Sequence, residues 1–127
     1  MTLRAMRFVA VAFGLYAVSG APVTADDAPP QILQFQFDST MARKMGEVCE
    51  TLRFNDAAYQ SYLADVTDAS GAELETPAAS ALVPFYEAFI QKHGGAIYSS
   101  RSAFCRAGDR EVAENTRLGQ MLLKGGS

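Results

Sequence analysis

The stretch SSRSAFCRAGDREVAENTRLGQMLLK, residues 99–124, decides the fold of this chain. Apolar or small residues alternate with charged ones along it at helical spacing. One face is formed by residues that recur at steps of three and four: Cys105, Gly108, Val112, Asn115, Gly119 and Leu122. The stretch therefore predicts one amphipathic helix. Its two glycines, at 108 and 119, predict that another helix backbone approaches closely there.

Cys105 has one candidate partner in this chain, because Cys49 is the only other cysteine. Cys49 lies within a run in which Met41, Met45, Val48 and Leu52 recur at helical spacing, after the N-cap residue types Asp-Ser-Thr. It therefore lies at the edge of a first helix, where a neighbouring helix can present Cys105. We predict a Cys49–Cys105 disulfide, which forms readily in an oxidising compartment. The alternative is a redox or metal role, against which stand the absent C-x-x-C motif and the single histidine.

The first 25 residues have the three parts of a secretory signal peptide. Arg4 and Arg7 precede an apolar run over 8–18, and small residues follow up to Ala25. We predict cleavage after Ala25; cleavage after Ala21 and an uncleaved membrane anchor are the alternatives. The apolar run is shorter than the roughly 20 residues of a spanning helix, which favours the signal peptide. The mature protein is expected to be periplasmic or secreted, with no stable membrane span after cleavage.

The mature chain is expected to form one helical domain over residues 38–124, preceded by a spacer or arm over 26–37. Gln31 to Phe37 alternates apolar and polar residues, which is typical of a strand, but a lone strand has no partner in a helical chain. We therefore expect an extended arm or an early helical turn that packs on the core. With 14 acidic and 11 basic residues and no Lys/Arg cluster, nucleic acid and anionic membrane surfaces are not expected partners.

A second helix is indicated by the capping residues Asn55 and Asp56, and Gly71 is its expected stop. Tyr59 and Tyr62 share one face of this helix and form a candidate contact patch for a partner, since tyrosine suits surfaces that are apolar at one end and wet at the other. The alternative is half-burial of both rings with their hydroxyls in solvent.

A third helix is indicated from Thr76 and Pro77, a capping hydroxyl followed by a proline at the first helical position. Pro84 inside it predicts a kink or break between residues 81 and 85. The expected stop is the cationic turn before Gly94. A serine at 99, 100 or 102 is expected to cap the final helix.

Catalytic chemistry is weakly indicated. His93 is the only histidine and lies at a predicted helix end, where a cation is favourable. Neither a G-x-S-x-G elbow nor a glycine-rich phosphate loop is present in the sequence. We predict no catalytic residue, no metal site and no cofactor. A cleft holding His93 with an acid and a hydroxyl would favour a small hydrolase instead, and a reducible exposed disulfide would favour a redox protein.

The segment from Phe104 to Leu122 resembles the closing motif of an uncharacterised family of small exported bacterial helical proteins. In that motif an aromatic–cysteine pair precedes a glycine, an acidic–aliphatic pair and a Gly-x-Leu-Leu-like end, and an earlier cysteine like Cys49 ends the first helix. The family carries no known activity, so the resemblance implies only an exported, helical, disulfide-paired protein. A weaker likeness in size, helical content and single long-range disulfide is to periplasmic acid-stress chaperones.

These observations predict an all-α domain of four or five helices, held by one long-range disulfide. The leading hypothesis is a non-catalytic envelope protein that binds another envelope protein. The alternatives are an acid-stress periplasmic chaperone and a small hydrolase or redox protein.

Overall fold

The computed structural model describes residues 29–67 and 77–125, which form five α-helices, one 3-10 helix and a two-stranded sheet. The all-α class and the long-range disulfide are confirmed. The predicted signal peptide and the expected stop at Gly71 lie outside the described residues. In chain order the elements are α1 (Pro30–Val48), β1 (Leu52–Phe54), α2 (Asp56–Thr67), α3 (Ala79–His93), the 3-10 helix (Gly95–Tyr98), α4 (Arg101–Glu114), α5 (Arg117–Gln120) and β2 (Leu122–Lys124).

Helix α1 begins eight residues before the predicted cap at Asp38. Its first residue is Pro30, and a proline is well tolerated there because the first N–H groups of a helix have no partner within it. Residues 31–37 are therefore helical rather than extended. Of the two predicted alternatives, an extended arm and an early helical turn that packs on the core, the helical one is observed. Asp38 is buried in mid-helix and caps nothing.

The centre of the domain is α1, which contacts β1 and each of the other four α-helices. Phe35 packs against the Tyr62 ring of α2 at a centroid distance of 4.9 Å, whereas Phe37 packs against Phe89 of α3 at 5.5 Å. Residues two apart in α1 thus contact different helices, α2 and α3. A helix covered on several sides has no single apolar stripe. Its buried residues are Leu33, Phe35, Phe37, Asp38, Ser39, Met41, Ala42 and Met45.

Several helix ends coincide with the predicted signals. Asn55 caps α2, since its Oδ1 accepts the backbone N–H of Ala58 at 3.2 Å. Ser100 caps α4 in the same way by accepting the N–H of Ala103 at 3.2 Å. Gly94 ends α3 with φ of 100°, a conformation that favours glycine. These three signals act locally, through one side chain or one backbone conformation, and the sequence alone displays them.

Helix α3 differs from its prediction at two points. It begins at Ala79, two residues after Pro77, and it continues through Pro84 without a break. Pro84 removes the hydrogen bond to the carbonyl of Ser80 in the first turn of the helix. Both Ser80 and Pro84 are exposed, so water can satisfy that carbonyl.

The predicted single helix over 99–124 is wrong beyond Glu114. Asn115 adopts a left-handed conformation with φ of 55° and ends α4. The chain then folds back so closely that a Cβ on Gly119 would collide with the carbonyl of Glu111. Gly119 is thus needed for close approach within this segment rather than to another helix. The short α5 leads into β2, which pairs antiparallel with β1 in the register Leu52–Lys124, Arg53–Leu123 and Phe54–Leu122.

The disulfide joins Cys49, just after α1, to Cys105 in α4, with the two Cα atoms 5.6 Å apart. Gly108 lies about one turn further along α4 and faces Leu52 and Met45. A Cβ there would lie 2.7 Å from Leu52 Cδ1 and 3.0 Å from Met45 Sδ. The close approach predicted at Gly108 therefore exists, although it involves side chains rather than a helix backbone.

Candidate functional site

An open groove of about 760 Å³ lies between α1 and the chain from Ile97 to Phe104. The α1 side contributes Met41, Lys44 and Val48, which share one face at steps of three and four. Ile97 and Phe104 on the opposite side are buried core residues, so the floor is apolar and fixed. The volume is within the range of about 300–1,000 Å³ found for ligand sites. We refer to this surface as the cationic groove.

The rim of the cationic groove carries Arg43, Lys44 and Arg101 against a single acid, Glu47. Lys44 Nζ is 3.9 Å from Glu47 Oε1, and both side chains are mostly exposed, so this contact is weak. Arg101 has no ion pair with any described residue. Elsewhere four basic residues contact carboxylates at 2.6–2.8 Å. Arg53 and Arg106, outside the groove, likewise have no ion pair with a described residue, so the groove is distinguished by its balance of three cations to one acid.

Tyr98 forms the most exposed apolar part of this rim. Its side chain is 43% exposed, and its ring packs on Tyr86 with centroids 5.6 Å apart. Partial burial of the side chain, and then the neighbouring Tyr86, raise the pKa of Tyr98 to about 12. Tyr98 thus stays neutral at physiological pH and offers a hydroxyl donor beside apolar surface.

A second cluster joins the end of α3 to α4 and the turn before α5. Glu111 is 4% exposed and its carboxylate is surrounded by donors. Lys92 Nζ lies 2.8 Å and His93 Nε2 2.6 Å from Glu111 Oε2, while the Thr116 hydroxyl donates to Oε1. Burial opposes ionisation of Glu111, but hydrogen bonds from Lys92, Thr116 and His93 outweigh it and lower the pKa of Glu111.

This cluster contains an imidazole, an acid and a hydroxyl, the set that would favour a hydrolase. However, the Thr116 hydroxyl donates to the carboxylate and not to the ring of His93. Thr116 Oγ1 also accepts the N–H of Gly119 as the N-cap of α5. The His93 side chain is only 3% exposed, so a substrate cannot reach it. The cluster therefore fixes α3 to the end of α4, and the arrangement does not activate a nucleophile.

Asp38 is a functional candidate that the sequence interpretation missed. Its carboxylate accepts hydrogen bonds of 2.9 Å from both the Tyr62 hydroxyl and Gln34 Nε2. Burial raises the pKa of Asp38 to about 6, although these two bonds oppose the shift. Asp38 borders a smaller pocket of about 340 Å³ that also touches Glu111. The available signal was an acid placed one helical turn from Phe35 and Met41, on the buried side of α1.

Tyr59 and Tyr62 do not form an exposed contact patch. Tyr62 is 6% exposed and its hydroxyl donates a hydrogen bond to Asp38. It is therefore neither part of an exposed contact patch nor a half-buried ring with its hydroxyl in solvent. Burial raises the pKa of Tyr62 above its ordinary range. Tyr59 is half-buried between Phe35 and Phe54, and the Arg43 guanidinium lies 4.7 Å from its ring centroid. The two tyrosines mainly stabilise the packing of α2 on α1.

Neither a metal site nor a membrane span is found within 29–67 and 77–125. Those residues contain no group of three or more His, Cys, Asp or Glu side chains that could hold an ion. None of the helices described there is long and apolar enough to cross a membrane. Comparison with protein-family models, curated proteins and solved structures finds no match to this chain.

Proposed function

We propose that the protein is a non-catalytic binding module that works outside the cytoplasm and takes a segment of a partner protein in the cationic groove. The observation that carries this proposal is the groove itself, an apolar floor with incompletely neutralised cations at its rim. Exposed apolar surface bordered by polar residues is typical of interaction sites. The predicted signal peptide and the disulfide support an extracytoplasmic location, since disulfides persist mainly in oxidising compartments.

The other polar clusters support binding rather than catalysis. His93 and Glu111 are buried and bonded to each other, and Asp38 is bonded to Tyr62. An acid-activated chaperone is less well supported, because it needs protonation to destabilise the fold. Protonation of Asp38 acts in the opposite direction, since burial raises the pKa of Asp38 to about 6.

Site-specific photocrosslinking tests the proposal with a matched pair of positions. Tyr98 and Leu123 are 43% and 42% exposed, but only Tyr98 lines the groove. A photoreactive phenylalanine analogue replaces each in turn, in the full chain expressed in its host. We expect a discrete protein adduct from position 98 in the extracytoplasmic fraction and none from position 123. Equal adducts from both positions, or none from position 98, would contradict the proposed function.

A further inference from the structure

The charge of the groove indicates the chemistry of the segment that it takes. We infer that this segment is an acidic amphipathic helix. Its apolar residues would pack on the groove floor, and its carboxylates would contact Lys44 and Arg101. The inference rests on the proposed function and adds the recognition chemistry to it. It is carried by the juxtaposition of a fixed apolar floor with two exposed cations, Lys44, whose contact with Glu47 at 3.9 Å is weak, and Arg101, which has no ion pair with a described residue.

The dimensions of the groove suit a short helix. Its α1 wall runs from Thr40 to Val48, nine residues whose eight steps rise about 12 Å, or roughly two helical turns. A partner helix that places apolar residues at i, i+3, i+4 and i+7 can lay them along this length. The opposite wall carries Tyr98, whose neutral hydroxyl can donate to a carboxylate at the edge of the contact.

Charge complementarity selects an acidic occupant. The chain carries 14 acidic and 11 basic residues, so its surface as a whole repels acidic partners. The groove rim reverses this balance with three cations and one acid. Arg43 is held over the Phe54 ring at 4.3 Å, which leaves Lys44 and Arg101 as the cations available to a partner. Helix α4 begins at Arg101, and the positive end of its dipole adds to the same rim.

Two other occupants fit the groove less well. A second copy of the chain packed about a two-fold axis would bring the same cations of both grooves together, and like charges repel. An acyl chain would keep one side in water, since the groove is open along its length, whereas ligand sites usually bury 70–90% of a small molecule. An amphipathic helix keeps its polar side in water by its own pattern.

The test compares two labelled synthetic peptides of about 14 residues. Both carry Leu on one helical face; one carries Glu on the other face and its twin carries Lys. Fluorescence anisotropy is measured with the wild-type protein, the rim variant K44E/R101E and the control variant R53E/R106E. The control changes the net charge equally at two exposed residues outside the groove. Circular dichroism of each variant confirms that it is folded.

We expect the acidic peptide to bind wild type about tenfold more tightly than its twin, with this preference falling as salt rises. K44E/R101E should abolish or reverse the preference, while R53E/R106E should change it by less than about twofold. Equal binding of the two peptides, or a preference that survives K44E/R101E, would overturn the inference. So would stoichiometric displacement of the acidic peptide by oleate, or self-association that the rim variant abolishes.

The two proposals fail in different ways. Adducts from position 98 without a preference for the acidic peptide would retain the binding function and reject the acidic partner. A charge-dependent peptide affinity without adducts from position 98 would retain the chemistry of the groove and reject a partner protein in the host.

Discussion

Asp38 in α1 and Glu111 in α4 are both carboxylates in the interior, with exposures of 6% and 4%, but their surroundings differ. Asp38 accepts hydrogen bonds from neutral groups, those of Gln34 and Tyr62. Glu111 has the ammonium of Lys92 at 2.8 Å. The pKa of Asp38 is therefore raised to about 6, whereas the pKa of Glu111 is lowered. Burial disfavours the charge of both groups, and the cation decides which of them keeps it.

The two regions respond to pH in opposite directions. The ordinary pKa of Asp38 is 3.8, below its folded value of about 6, so the folded state gains stability as pH falls from about 6 to about 4. Glu111 contributes stability above its ordinary pKa of 4.5, and this contribution is lost as pH falls through its lower folded value. The sum of these two contributions to stability is therefore largest near pH 4–5.

The largest expected effect comes from breaking the covalent link between the two helices that carry these carboxylates. The disulfide joins residues 56 apart in sequence, which in the chain-entropy treatment is worth about 4 kcal/mol. We expect C49A/C105A to lower the free energy of unfolding by that amount, measured by urea denaturation. Wild type denatured with a reductant present should show the same loss. A decrease below about 1 kcal/mol would mean that the link adds little constraint.

The next effect concerns the paired carboxylate. Glu111→Gln keeps the shape of the side chain but removes its charge, so Lys92 loses one of its two carboxylates. We expect a loss of about 2–3 kcal/mol in the free energy of unfolding at pH 7, at the low end for a buried pair because Lys92 is a third exposed. The control is Glu114→Gln, which removes the exposed partner of the same lysine and should have a much smaller effect. Equal effects would show that the burial of Glu111 is unimportant.

The smallest effect has the opposite sign. Asp38→Asn removes a carboxylate that burial disfavours, yet its oxygen still accepts the Tyr62 hydroxyl. A shift from 3.8 to about 6 corresponds to at most about 3 kcal/mol. The amide has one oxygen for two donors, so loss of the hydrogen bond from Gln34 reduces this to a gain of about 1–2 kcal/mol at pH 7. The variant should also lose the rise in stability between pH 6 and 4. Urea midpoints across pH 3.5–8 measure both effects, and a destabilised variant with an unchanged pH profile would contradict the comparison.

Local features of the fold were predictable from the sequence. A cap needs one side chain, so Asn55 and Ser100 were recognisable, and the stop at Gly94 needs one glycine. The Cys49–Cys105 bond followed from the count of cysteines and the helical spacing around them. These features depend on residues near one another in sequence, or, for the disulfide, on there being one possible pairing of two cysteines.

Features set by distant neighbours were not predictable in the same way. The period-two pattern of 31–37 indicates a strand in isolation, but α2 and α3 cover different sides of α1 and make the same pattern helical. The helical spacing of apolar residues continues beyond Glu114 although the helix ends there. Leu118 and Met121 are buried because the chain folds back after α4, and not because they lie on one face of a continuous helix. The cationic groove joins α1 to a segment some fifty residues away, which spacing along the chain does not reveal.

The pairing of β1 with β2 has a consequence for how the protein is made. The strand Leu52–Phe54 cannot pair until Leu122–Lys124 has been synthesised. In the same way, Cys49 cannot form its disulfide until Cys105 has been synthesised. A chain that emerges from its N-terminal end therefore cannot close its sheet or its covalent loop until nearly all of the domain has emerged. With two cysteines no wrong pairing within the chain exists, so oxidative maturation depends on the timing of emergence and not on isomerisation between alternative disulfides.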